Sequence, residues 1–105
     1  MSIAELAPSP PADLLVAHRD EILRLAEQHG ALNVRVFGSV VRGEATAESD
    51  VDFLVTWNYG SLSSWVGVGL HLDLAELLGR KVDVVGDDEL HWYIRDRVLA
   101  EAVPL

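Results

Sequence analysis

Apolar positions recur along this chain with two periods, and their alternation outlines an α/β fold. Between Ala12 and His29, the residues Leu15, Ile22, Leu25 and Ala26 fall at helical spacing. They predict one helix over that stretch, stopped by Gly30. Asn33-Val34-Arg35-Val36-Phe37 alternates as a strand does and ends at Gly38. A short helical turn is expected from Ser39 to Arg42, a loop from Ala45 to Ser49, and a second strand from Val51 to Trp57. Asn58-Tyr59-Gly60-Ser61 forms a turn cluster. Leu70, Leu74, Leu77 and Leu78 predict a helix over 63–78, weakened by Gly67 and Gly69 and ended by Gly79. Lys81 to Val85 reads as a third strand. A last helix, capped by Asp87 or Asp88, then runs to Ala102 with Leu90, Ile94, Val98 and Ala102 facing inward.

This succession of elements predicts a single α/β domain over 1–105, without repeats or linkers. The segment 1–11 ends in Ala7-Pro8-Ser9-Pro10-Pro11 and is expected to be irregular and helix-breaking. Half of the 105 residues are hydrophobic, enough to build one core. The chain has no cysteine, which excludes disulfides, thiolate nucleophiles and thiolate metal ligands and fits a reducing, cytoplasmic compartment. Its first residues, MSIAELAPSPP, lack the basic and apolar parts of a signal peptide. No apolar stretch approaches the roughly 20 residues that span a bilayer. The net charge is −9, with one lysine and seven arginines. Such a surface repels DNA and RNA and suits a protein partner with a basic face.

The chemistry concentrates in residues 38–55. Gly38-Ser39 stands where the first strand hands over to a short helix. Glycine allows close backbone approach, and the free N–H groups with the serine hydroxyl can hold phosphate oxygens. Asp50 and Asp52 follow, with ten residues between Ser39 and Asp50, at the head of the second apolar run. Two apart on a strand, both carboxylates would share a face, with Val51, Phe53 and Val55 on the other. Carboxylates that close repel unless a cation neutralises them, and oxygen-only ligation suits Mg²⁺ or Mn²⁺. Asp83, an acid inside the short apolar strand Lys81-Val82-Asp83-Val84-Val85, can join them if the strands are neighbours. It is then a third metal ligand and helps to deprotonate an attacking hydroxyl. Arg42, three residues after Ser39, can steady a phosphate or pair with Glu44. Ser49 is expected to order its loop. His18, His29, His71 and His91 show no ligand spacing. Trp57 and Tyr59 could stack a base or simply pack. Trp65, Trp92 and Tyr93 lie off the cleanest inward stripes, and Trp92 and Tyr93 cannot both face the core with Ile94, so one marks a protein interface.

At Gly38-Ser39, Arg42-Gly43 and Ser49-Asp50-Val51-Asp52 the chain resembles the nucleotidyltransferase superfamily that includes DNA polymerase beta. It looks most like the minimal nucleotidyltransferases that pair with HEPN toxins. Leu77-Leu78-Gly79-Arg80-Lys81-Val82-Asp83 and the tail from Ile94-Arg95-Asp96-Arg97 to Ala102-Val103-Pro104-Leu105 are similar as well. The resemblance implies a small mixed sheet with helices packed mainly on one face, and two-metal chemistry with ATP as nucleotide donor. It also implies an antitoxin that transfers AMP to a tyrosine hydroxyl of a HEPN ribonuclease toxin, with which it can form a hetero-oligomer. Two other readings stand beside it: a non-catalytic antitoxin acting by binding alone, and nucleotidyl transfer to a small hydroxylated acceptor or an RNA 3′ end.

Overall fold

A computed structural model of the protein describes residues 1–60 and 69–105. After a 3₁₀ turn at Ile3–Glu5 come α1 (Pro10–Ala17), α2 (Arg19–Gln28), β1 (Ala31–Phe37), α3 (Ser39–Arg42) and β2 (Val51–Trp57). They are followed by α4 (Leu70–Leu78), β3 (Val82–Gly86), α5 (Trp92–Glu101) and β4 (Val103–Pro104). The strands form one mixed sheet in the order β3-β2-β1-β4. β1 is antiparallel to β2 and to β4, while β2 and β3 run parallel.

Most expected elements are present, with instructive differences. The single long helix is two helices, broken at His18, whose backbone leaves helical geometry (φ −111°, ψ 17°). Pro10 and Pro11 open α1 instead of preceding it, because the first turn of a helix has no internal use for the N–H groups they lack. Ser9 caps that turn, its hydroxyl accepting from the Ala12 N–H at 3.2 Å. The segment 1–11 is therefore not irregular throughout, and Ile3 and Leu6 are buried. β1 starts two residues earlier than expected and carries an irregularity between Leu32 and Arg35, where Asn33 adopts φ +51°. Residues 63–68 of the helix expected over 63–78, with Gly67 and Trp65, lie outside the described residues. α5 starts only at Trp92, and neither Asp87 nor Asp88 caps it. β4 was not expected at all. Pro104 is tolerated there because β4 is an edge strand, where a missing N–H breaks no ladder.

The main core lies where α1, α2 and α4 pack on one face of the sheet. Leu15, Ile22 and Ala26 from the predicted stripe meet Val36, Phe53 and Val55 there. Leu54 is fully buried yet stands apart from this cluster, as does Val98 of α5. Leu54 alternates with Phe53 and Val55 and so points to the second face, together with Asp52 and Thr56. On that face Asp87 accepts from Thr56 Oγ1 at 2.6 Å and from Arg35 Nη2 at 3.1 Å, while Arg95 donates to the Asp87 carbonyl. Among the described residues no helix is long and apolar enough to cross a membrane.

Candidate active site

The sheet register brings the site together. Phe37, the last residue of β1, is paired with Asp52, and Asp52 is paired across the parallel ladder with Asp83. Gly38 follows Phe37 and turns the chain into α3 with φ +82° and ψ −150°, a conformation essentially reserved for glycine. A Cβ at Gly38 would run into Asp52 Oδ2, so backbone and carboxylate are in closest approach at this point. The sequence offered Gly38 for close approach of the backbone to a ligand; the group the main chain passes here is the Asp52 carboxylate. The half-buried Ser39 makes no side-chain hydrogen bond among the described residues.

Asp52 is half-buried, and its carboxyl is pushed above the usual carboxylate range. Burial is the largest cause, followed by the charges of Asp83 and Asp50; Glu101 adds to the effect and Arg42 opposes it. Asp52 therefore lies within the field of both other acids predicted from the sequence. Asp83 is exposed in β3. Asp50 precedes β2 and is not part of it, so strand alternation does not set its direction; its Oδ2 lies 3.5 Å from Lys81 Nζ. The loop before it is ordered as expected: Ser49 Oγ accepts from the Thr46 N–H at 2.8 Å, and Arg80 Nη1 donates to the Ser49 carbonyl at 3.1 Å.

Arg42 is in an ion-pair network. Its Nη1 lies 2.9 Å from Glu101 Oε1 and its Nε 3.4 Å from Glu44 Oε1. The hydrogen bond to Glu101 and the charge of that carboxylate raise the guanidinium pKa further. Pairing with Glu44, one of the two roles offered by the sequence, is present. The pairing with Glu101 was missed, as was the second bond of that residue: Glu101 Oε2 accepts from the Gly38 N–H at 2.8 Å. Nothing local in the sequence marks Glu101, because its partners lie 59 and 63 residues away.

The donor set suits a hard cation, since it contains only carboxylates, and Arg42 only partly opposes the like charge around Asp52. The side chains are not closed around a point: among the described residues no group of three His, Cys, Asp or Glu is placed to hold a metal ion, and Asp50 is turned to Lys81. The other candidate side chains stand elsewhere. His18 pairs with Glu21, and His29 with Asp73. Trp57 donates to Glu89, and Tyr59 to Asp88. Trp92 and Tyr93 are both exposed, packed against each other and against His91.

Residues 18–105 match the nucleotidyltransferase domain family. Protein adenylyltransferase MntA of Thermococcus cleftensis is 41% identical over 91 residues, which cover 86% of this chain and 87% of that protein. A relative from Methanocaldococcus jannaschii, also described as a protein adenylyltransferase, is 37% identical over 83 residues, covering 79% and 88% of the two chains. A solved minimal nucleotidyltransferase superposes with a TM-score of 0.75 at 41% identity, covering 100% of this chain and 97% of its own. A toxin-antitoxin crystal structure with AMP-PNP shares the fold, at a TM-score of 0.66 and 22% identity over 81% of this chain and 69% of its own. By sequence and by fold, the chain belongs to the nucleotidyltransferase domain family and, within it, to the minimal nucleotidyltransferases.

Proposed function

We propose that this protein is an antitoxin that transfers AMP from ATP to a tyrosine hydroxyl of a partner HEPN ribonuclease toxin. The observation that carries the reading is the cross-strand pairing of Asp52 with Asp83 beside Gly38. An acid that is half-buried and surrounded by like charge is unfavourable for folding alone, and it becomes intelligible as part of a cation site. The naming of the Thermococcus cleftensis relative as a protein adenylyltransferase supports the choice of reaction. The net charge of −9 supports a partner with a basic surface.

In this reading Asp52 and Asp83 hold a hard divalent cation from adjacent strands, and Asp50 joins them by exchanging its contact with Lys81. When bound, Mg²⁺ would offset the charge of the triphosphate and of the reacting oxygens. Ser39 Oγ and the backbone beyond Gly38 position the distal phosphates. Arg42, tied to Glu101 and Glu44, contributes positive charge near the cradle and does not reach out as a free phosphate ligand. The acceptor oxygen forms a bond to the α-phosphorus, the bond from that phosphorus to the β-bridging oxygen breaks, and pyrophosphate departs. Asp83, exposed at the site, takes the proton of the hydroxyl. The residues chiefly orient groups and shape the field, which is the general demand of phosphoryl and nucleotidyl transfer.

Neutralisation by binding alone is favoured by a separate observation. Trp92, Tyr93 and Tyr59 are 81%, 67% and 62% exposed, an uncommon display of aromatic surface on so small a chain. One experiment separates the two modes: co-express the toxin with wild type or with Asp50→Asn/Asp52→Asn at matched levels, then weigh the toxin by intact mass. Added AMP with wild type, and neither added AMP nor rescue with the double variant, supports transfer. Full rescue by the double variant without added mass supports binding.

A further inference from the structure

We infer that Glu101 is a positioning residue for nucleotidyl transfer, bridging the Gly38 N–H and the Arg42 guanidinium so that Gly38 is held against Asp52. The inference rests on the transfer reading above and concerns a residue outside the expected set of acids. Each carboxylate oxygen of Glu101 has its own donor: Oε2 accepts from Gly38 N at 2.8 Å and Oε1 from Arg42 Nη1 at 2.9 Å. The side chain is only 14% exposed, while that of Arg42 is 44% exposed. A carboxylate this enclosed, with both oxygens used, is a fixed brace. Glu101 ends α5, and after Ala102 comes β4, pairing with β1 through Val103 and Pro104. Leu105 is held as well, its N–H donating to the Val34 carbonyl at 3.1 Å and its carbonyl accepting from Arg19 Nε at 2.8 Å. Glu101 is thus anchored from behind and presents its carboxylate to the turn that approaches Asp52.

Two consequences follow from this placement. The Gly38 N–H is occupied by protein, so donors for a phosphate must come from Ser39 onward. A displaced Glu101 would release Gly38, and with it the contact that limits where Asp52 Oδ2 can lie. Because Glu101 acts through Gly38 and Asp52 and does not touch the nucleotide in this arrangement, its loss should reach kcat more than KM. If Glu101 were instead a latch standing in for the triphosphate, its removal would tighten nucleotide binding.

The test compares Glu101→Ala, Glu101→Gln and, as a control for simple destabilisation of α5, Val98→Ala. Measured quantities are kcat and KM for ATP in the transfer assay, ATP affinity by calorimetry, and exchange of the Gly38 amide proton in the nucleotide-free protein. Glu101→Ala should lose Gly38 amide protection and drop kcat at least about tenfold, with KM for ATP changing less than about threefold, since small misplacements of reacting groups cost up to about 100-fold. Glu101→Gln keeps an acceptor oxygen for Gly38 and should recover both amide protection and most of kcat. Val98→Ala should lower thermal stability while kcat of the folded protein stays near wild type. Tighter ATP binding in Glu101→Ala, unchanged kcat, or an equal loss in Val98→Ala overturns the inference. If wild type itself transfers nothing, the transfer reading fails and the positioning role falls with it. The amide exchange then reports independently whether the brace exists.

Discussion

Substituting Gly38 with alanine tests the closest contact in the proposed site. Two penalties add at this position. The backbone, at φ +82° and ψ −150°, lies in a region that residues with a Cβ avoid, which costs about 1–3 kcal/mol. The new methyl also occupies the place of Asp52 Oδ2, so either the α3 turn or the carboxylate must move. Taking about 2 kcal/mol for the strain, and about 4–8 °C per kcal/mol for a domain near 100 residues, the melting temperature should fall by about 8–16 °C. Displacing Asp52 should reduce AMP transfer about 100-fold in the fraction that remains folded. Gly79→Ala is the control. Gly79 also has positive φ, +67°, but among the described residues nothing lies within 4 Å of an added Cβ, and it sits at the end of α4. It should cost about 1–2 kcal/mol and leave transfer intact. The assay pairs thermal melts with transfer rates measured well below both melting points. Wild-type rates in Gly38→Ala, or equal rate losses in the two variants, would refute the assignment of the Gly38–Asp52 contact to the reaction.

Asp52→Asn should melt higher than wild type at pH 7, in the absence of divalent cations. The Asp52 pKa is raised above 3.8 in the folded state, so its ionised form opposes folding at pH values above the folded pKa; the advantage of the variant should shrink as pH falls through that value. A lower melting temperature for the variant at pH 7 would contradict the crowding of charge around Asp52. Asp87 has the opposite sign: hydrogen bonds from Thr56 and Arg35 hold its carboxyl below 3.8. Urea unfolding should show Asp87→Asn less stable than wild type near neutrality, with the difference fading below about pH 3.8, as protonation removes the advantage of the wild-type carboxylate. A difference independent of pH would remove that explanation. Leu54→Ala, at a fully buried position on the Asp52 face, should cost about 2–5 kcal/mol in the same experiment; a loss under about 1 kcal/mol would mean that the second face carries no packing of its own.

The legible parts of this protein are those governed by short-range rules. β2 was readable because Val51, Phe53 and Val55 alternate with Asp52 and Leu54, and because the Gly38-Ser39 turn and Asp52 stand at strand ends that a sheet can bring together. The approach of Asp83 needed one further assumption, that β2 and β3 are neighbours, and the parallel register supplies it. Positions set by distant partners were not readable. Glu101 looks like any solvated acid at the end of a helix until β4 folds its flanking residues onto β1. Asp87 looks like a helix cap until Arg35 and Thr56 claim its carboxylate. The break at His18 was hidden because the apolar stripe continues across it, with Leu15 on one side and Ile22 on the other. Trp92 and Tyr93 were correctly read as unable to share the core with Ile94, but both are exposed, and the aromatic surface is larger than one residue would make it.

In the proposed reaction Asp50, Asp52 and Asp83 act together on a nucleotide held from Ser39 onward, beside Gly38. Its most direct test is transfer of label from α-³²P-ATP, with Mg²⁺, to the co-purified partner toxin, comparing wild type with Asp50→Asn/Asp52→Asn and with Asp83→Asn, each checked for folding by circular dichroism. Labelled toxin is expected with wild type and, for both folded variants, incorporation reduced to background. Equal labelling by wild type and either variant would contradict it.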